Sequence, residues 1–166
     1  MRLSYPLAAA FAAVLTLTAC GGGGGSAGNS TPNPPAASGP TVLKTTDTVV
    51  GTGVAAANGD RVQVNYTGWL YDDKVADTKG TRFDASVAGK PFTFVIGATG
   101  TAESVITGFG QGVQGMKVGG KRTIVVPAAL AYGSKGVYNG STAVIPPNAA
   151  LVFDLELVKD CGTKAC

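Results

Sequence analysis

Histidine is absent from all 166 residues. Its absence excludes Ser-His-Asp and Cys-His catalysis of the usual kind, an imidazole metal site and a histidine proton shuttle near neutral pH. Charge is scarce as well: Asp, Glu, Lys and Arg make up 14% of the chain, and 13 Lys and Arg against 10 Asp and Glu leave a net +3. So small and dispersed an excess leaves no electrostatic footprint for nucleic acid. There are only three cysteines, and no set of thiols, carboxylates and imidazoles spaced for a metal. What the chain has in quantity is apolar side chains, 45%, and glycine, 25 residues.

The first segment is an address. Met1-Arg2 opens with positive charge, and Leu7 to Ala19 is almost wholly apolar or small. A permanent membrane helix needs about 20 such residues, so this shorter run matches the apolar part of a secretory leader. It ends in Leu17-Thr18-Ala19-Cys20, which resembles the bacterial lipobox, where the Cys is lipidated after residues 1–19 are removed. The alternative is a plain signal peptide with a chance Cys at its cleavage region. Gly21 rather than Asp follows Cys20, which favours the outer membrane, with the domain facing the periplasm. Residues 20–40 then read as the lipidated Cys and a tether: Gly21 to Gly25 are flexible, while Pro32, Pro34, Pro35 and Pro40 stiffen the second half. Without charge or large side chains it cannot build a core.

Residues 41–166 are expected to form one β-rich domain. Val62, Val64 and Tyr66 alternate with polar residues over Arg61–Tyr71; Pro91–Ile96 sets Phe92 and Phe94 on one face; Lys121–Val126 stops at Pro127. Leu151, Phe153, Leu155 and Leu157 alternate with Asp154 and Glu156, and Val42–Val50 is a further candidate strand. Only Ser104–Met116 has helical spacing, with apolar residues at 105, 106, 109, 113 and 116. Its glycines each weaken a helix by up to about 1 kcal/mol relative to Ala, so docking has to supply the stability. The fold class is therefore α+β, an antiparallel sheet covering one helix. Long Gly- and Pro-containing loops are expected at 72–82, 97–103 and 133–149.

No acid–base pair or phosphate-binding loop stands out. Gly108-x-Gly110-x-Gly112 has neither the spacing nor the strand context of a dinucleotide site. What recurs is aromatic and aliphatic residues at strand ends and loops. Eight motifs occur in order: Val64-Asn-Tyr-Thr-Gly68, Arg82-Phe-Asp84, Lys90-Pro-Phe-Thr-Phe94, Val105-Ile-Thr-Gly-Phe109, Gly112-Val-Gln-Gly-Met-Lys-Val-Gly119, Ala131-Tyr-Gly133, Ile145-Pro-Pro-Asn148 and Leu151-Val-Phe-Asp-Leu-Glu-Leu157. Together, from roughly 45 to 159, they resemble the FKBP family of peptidyl-prolyl cis-trans isomerases.

The resemblance implies a strongly bent antiparallel sheet wrapped round one short helix, isomerase activity without a cofactor or metal, proline-containing polypeptides as partners, and macrolide inhibitor binding. It also implies a pocket. Phe109 forms its floor, where many relatives carry the larger Trp. Tyr66, Phe83, Phe92, Val105, Ile145 and Phe153 are walls, and Phe94 is at the edge. The Ile106 backbone N–H and the Tyr132 hydroxyl hold substrate carbonyls, and Asp84 orients the pocket or polarises the twisting amide. The plainer readings are a turn or capping role for Asp84 and a loop-anchoring role for Tyr132. The loop after Asp84 lacks the basic residue that some members place there, so a cation for Asp84 has to come from Arg82 or elsewhere. Two stretches, between Gly97 and Val105 and between Gly133 and Val144, are extra relative to short members.

Cys161 and Cys166 close the chain. An exported domain permits disulfides, and this spacing, with Gly162 inside, allows a bridge that locks only the tail. It is not the Cys-x-x-Cys of a redox centre. The reading reached is a lipid-anchored, monomeric prolyl isomerase for exported proteins. The competing readings are a proline-segment binding module or holdase with little turnover, and a surface factor that engages host proteins.

Overall fold

A computed structural model describes residues 39–166. The expected leader, the lipidation site Cys20 and nearly all of the tether lie outside the described residues.

Among the described residues ten strands and one α-helix follow in the order β1 Lys44–Val49, β2 Thr52–Ala55, β3 Arg61–Tyr71, β4 Lys79–Ala85, β5 Phe92–Val95, α1 Thr107–Val113, β6 Lys117–Val118, β7 Lys121–Val126, β8 Val137–Asn139, β9 Thr142–Ile145 and β10 Leu151–Asp160, with short 3-10 turns at Ala128–Leu130 and Gly133–Lys135 between β7 and β8. The main sheet runs β1-β7-β10-β3-β4, with β5 also on β3, and every pairing is antiparallel. Strand β10 lies at its centre. Its Leu151, Phe153, Leu155 and Leu157 are buried as the alternation requires, while Asp154 and Glu156 face the other way and are only partly covered. Val152 is buried too, flanked in register by Trp69 and Val125.

Strand β3 serves two partners on one edge. Residues 61–64 pair with β5, and residues 67–71 pair with β4. At the changeover Tyr66 has no strand partner on that side. Ser86 fills the gap: the Tyr66 N–H donates to its Oγ at 3.0 Å, and the Ser86 N–H donates to the Tyr66 carbonyl at 3.0 Å. A long strand thus divides its edge and leaves an opening between β4 and β5.

The helix is shorter than its spacing predicts. Ile106 before it and Gln114 after it are extended, and Gly115 has φ +81°. Met116 is still buried and Val105 half-buried, so both flanks contribute apolar positions without being helical. The helix packs across β7 through glycines one turn apart. A Cβ at Gly108 would overlap Val126 Cγ1 and lie 3.2 Å from the Leu130 carbonyl oxygen; one at Gly112 would lie 2.6 Å from Ile124 Cδ1. The residues that weaken the helix therefore allow its close docking.

Two of the three expected loops contain strands. Strand β4 begins inside 72–82, and β8 pairs with β9 as a hairpin inside 133–149. The stretch 97–103 has neither helix nor strand. A separate two-stranded pair joins β2 to β6. At the end of the chain Cys161 and Cys166 are disulfide-bonded, with Cα atoms 5.4 Å apart.

Gly108→Ala tests the docking. On an exposed helix this exchange stabilises by up to about 1 kcal/mol. Against Val126 and Leu130 it should instead cost about 1–3 kcal/mol, as overpacking does. The expected readout is a lower denaturant midpoint at an unchanged slope; a raised midpoint would mean that the helix is free to move outward.

Candidate functional site

An apolar cleft of about 510 Å³ is lined by Tyr66 of β3, Phe83 and Asp84 of β4, Phe92 of β5 and Phe109 of α1, among others. Its floor is Phe109, which is 4% exposed. The ring stands edge-on to Tyr66, Phe94 and Phe153, with centroids 5.6, 5.4 and 5.2 Å away. Edge-to-face pairs of this kind set the electropositive edge of one ring against the face of another, which fixes ring orientation as well as burying area. Tyr66 and Phe92 form one wall, 5.7 Å apart; Phe83 meets Phe153 edge-on at 5.7 Å to form another. Gly68 makes that second wall possible. A Cβ there would lie 2.8 Å from both Phe153 Cε1 and Phe83 Cζ.

The rim is polar. Tyr66 donates its hydroxyl to Asp84 Oδ2 at 2.6 Å, and the Ala85 N–H donates to Asp84 Oδ1 at 2.9 Å. Among the described residues no cation pairs with Asp84, and Arg82 does not supply one. Burial, reinforced by the hydrogen bond and charge of Asp84, pushes the Tyr66 phenol well above its ordinary pKa. Partial burial and the Asp84 charge raise that of Tyr132. Both phenols therefore keep their protons through the physiological range. Tyr66 spends its proton on Asp84. The Tyr132 hydroxyl, on a residue 40% exposed, and the backbone N–H of Ile106 have no acceptor among the described residues. Two residues that line the cleft thus carry a donor without a partner among the described residues.

Most of the residues expected at the pocket do come together: Tyr66, Phe83, Asp84, Phe92, Val105, Ile106, Phe109, Tyr132 and Phe153 line it. Two do not. Phe94 is fully buried behind the wall, stacked on Phe92 at 5.8 Å. Ile145, 3% exposed on β9, belongs to the core. Phe94 shares its face of β5 with the lining ring Phe92 and sits one position deeper. Ser104 lines the cleft and was missed by motif reading; its hydroxyl donates to the Thr101 carbonyl at 2.6 Å. Its place directly before Val105-Ile106 was the available signal.

A larger concavity, about 690 Å³, lies on the polar face of the sheet. Its charges satisfy one another. Lys79 Nζ and Thr123 Oγ1 both donate to Asp154 at 2.7 Å, and Asn65 and Lys121 engage Glu156. The aromatic cleft, with donors left over, is the candidate site. Among the described residues no group of three or more His, Cys, Asp or Glu is placed to hold a metal ion. The cleft offers no activated nucleophile. It can seat an apolar ring and hold carbonyl groups at its rim.

Comparison with known proteins agrees with that chemistry. The model of the family described as FKBP-type peptidyl-prolyl cis-trans isomerase matches residues 53–158. The chain is 44% identical over 113 residues to the FK506-binding protein 4 of Neurospora crassa, a match covering 68% of this chain and 21% of that protein. It is 40% identical over 108 residues to an FK506-binding protein of Neisseria meningitidis serogroup C, covering 64% of this chain and 85% of the relative. The chain thus spans about a quarter of the length of several curated relatives and most of the length of others. Among solved structures, a peptidyl-prolyl cis-trans isomerase from Pseudomonas syringae pv. tomato matches with a TM-score of 0.56 and 32% identity, over 71% of this chain and 74% of that one.

The raised Tyr66 pKa has a measurable consequence. The folded phenol holds its proton more tightly than the unfolded one, whose value is near 10. Its linked stabilisation is therefore whole below the unfolded value and is lost as pH climbs through the raised folded value. In an alkaline titration followed by phenolate absorbance, Tyr66→Phe should remove a component that titrates later than an ordinary tyrosine. Loss of a component at the ordinary position would contradict the buried, Asp84-bonded phenol.

Proposed function

The chain belongs to the FKBP-type peptidyl-prolyl cis-trans isomerase family, and we propose that it catalyses rotation about X–Pro bonds in exported polypeptides while held at a membrane through a lipidated Cys20. The observation that carries the reading is the cleft itself: an apolar, aromatic seat closed by Phe109, with two spare donors at the rim and no nucleophile.

Rotation about an X–Pro bond meets a barrier of about 18–20 kcal/mol and takes tens to hundreds of seconds without help. No bond breaks. The obstacle is amide resonance, which places positive character on nitrogen and negative character on oxygen. A cleft lined by rings and aliphatic side chains solvates that separation poorly. It favours the twisted amide, in which the resonance is lost and the charge separation is smaller. Binding the twisted form better than the planar one is what lowers the barrier. The prolyl ring sits on Phe109 between Tyr66, Phe92 and Phe153. The Ile106 N–H and the Tyr132 hydroxyl hold carbonyls on either side, so the chain is anchored while the bond between turns. Asp84, held by Tyr66 and the Ala85 N–H, presents a fixed negative field at the rim. No step moves a proton, which suits a chain without histidine.

The address in the sequence supports the location. Leu17-Thr18-Ala19-Cys20 follows an apolar run of secretory length, and Gly21 favours the outer membrane with the domain facing the periplasm. The Cys161–Cys166 bridge is in keeping with an oxidising compartment. Acyl chains on Cys20 contribute about 0.8 kcal/mol per buried methylene, and two or more chains anchor stably. A tether of this length, fully extended, reaches at most about 70 Å.

Cis–trans exchange of a Phe-Pro peptide, measured by NMR, tests the chemistry. Lowering the barrier by about 5 kcal/mol gives a few thousand-fold acceleration. Exchange no faster than in buffer, with the peptide still bound, would replace the isomerase with a binding module or holdase. Tyr132→Phe and Asp84→Ala, both at exposed positions, should each lower kcat/KM about tenfold, the scale of one lost polar contact. Full activity in both variants would put the chemistry elsewhere. Growth with labelled fatty acid should mark the wild-type chain and leave Cys20→Ser unlabelled; equal labelling of both would remove the anchor.

A further inference from the structure

The stretch 97–103 has neither helix nor strand, yet it leads directly into the wall of the cleft: Ser104, Val105 and Ile106 follow Glu103 without a break. Glu103 is tied down twice. Its carbonyl accepts the Val95 N–H of β5 at 3.3 Å, and its carboxylate pairs with Arg61 Nη1 of β3. Arg61 and Val95 face each other in the β3–β5 register, so both ties end on one rung of the sheet. From Glu103 to Ile106 is three residues, at most about 11 Å of chain. A displacement of Glu103 is therefore passed to the wall with little slack to absorb it.

Arg61 is a firm post for such a tie. Its N–H donates to the Gly162 carbonyl at 2.7 Å and its carbonyl accepts the Cys161 N–H at 2.9 Å, both from the ring closed by the Cys161–Cys166 disulfide. Its guanidinium has Glu103 as its counter-charge among the described residues, while Nε is buried without an acceptor. The two side chains are 30% and 39% exposed, so the pair adds little to global stability and is open to screening by salt.

We propose that Arg61 and Glu103 are positioning residues of the cleft: their ion pair holds the segment that presents Val105 and the Ile106 N–H to substrate. The proposal deepens the isomerase reading and rests on it. Displacing a binding group by about 1 Å can cost up to about 100-fold. Glu103→Gln in the full chain is expected to lower kcat/KM for a Phe-Pro peptide about tenfold, raising KM more than it lowers kcat, with the melting temperature nearly unchanged and the Ile106 amide resonance shifted. Raising salt to about 1 M, where the screening length falls to about 3 Å, should bring wild type toward the variant and leave the variant flat. Exchanging the two charges, Arg61→Glu with Glu103→Arg, should recover most of the loss. Wild-type kcat/KM in Glu103→Gln with an unmoved Ile106 resonance would overturn the proposal, as would a loss that follows the melting temperature and is not recovered by the exchange. If wild type accelerates no exchange, the isomerase reading falls by itself; peptide affinity and the Ile106 resonance, read in the same titration, still decide whether the pair places the wall.

Discussion

The closeness of α1 to β7 governs this domain. The helix has seven residues, glycine at three of them, no side-chain cap and no charged residue in its first or last turn. Alone in water a helix of that length does not form. It forms here because Gly108 and Gly112 leave nothing between its backbone and Val126 and Ile124. The same approach places Phe109, which lies between the two glycines in sequence, at the meeting point of Tyr66, Phe94 and Phe153. Side chains at 108 or 112 would lift the helix by a layer of atoms and carry the floor of the cleft with it. One packing contact thus sets both the existence of the helix and the depth of the site.

Charge is distributed to leave that site nearly free of it. On the polar face of the sheet Asp154 and Glu156 are matched by Lys79, Thr123, Asn65 and Lys121. Asp47 is matched by Arg122, whose guanidinium holds its carboxyl below the usual carboxylate range. Among the described residues that line the cleft the one carboxylate is Asp84, and it is bound by a neutral phenol and a backbone N–H rather than by a cation. A cationic partner would cancel its field at the rim; these dipolar partners orient it and leave its charge standing. The phenols, pushed upward by burial and by that charge, stay neutral. What such a site offers is an apolar surround and fixed dipoles, as the proposed reading requires.

Legibility in the sequence followed the strength of local signals. Strand β3 is readable from its alternation through Tyr66, and β7 because it stops at Pro127. Strand β10 is readable because Leu151, Phe153, Leu155 and Leu157 alternate with Asp154 and Glu156, although Val152 on the opposite face is buried as well. The helix is overestimated because Val105 and Met116 are covered by neighbours while standing outside it. Strand β4 was hidden because Lys79-Gly-Thr-Arg lacks an apolar stripe and its pairing with β3 is irregular. The β8–β9 hairpin did carry a signal, Gly140-Ser141 between two β-prone runs, outweighed by the glycines around it. At the site, motif order located nine lining residues, but no local pattern separates a lining ring from one a layer deeper. Phe92 and Phe94 share a face and even stack, and only the third dimension decides which of them substrate can touch.

Floor and rim differ in what they can discriminate. The floor is made of rings held by the sheet and the docked helix, and a prolyl ring presents the same shape whatever residue precedes it. Hydrophobic contact of that kind separates close homologues weakly, by about 1–3 kcal/mol per methylene-sized difference. Apart from Tyr66 on β3 and Asp84 on β4, the rim is made of chain outside the strands and α1: the stretch into Val105 and Ile106, and the turns around Tyr132 that lead into the β8–β9 hairpin. In the isomerase reading proposed above, tolerance for proline belongs to the rigid floor and choice among flanking sequences to the loops, which are placed by individual ties such as Asn148 N–H to the Gly133 carbonyl at 2.7 Å rather than by a ladder.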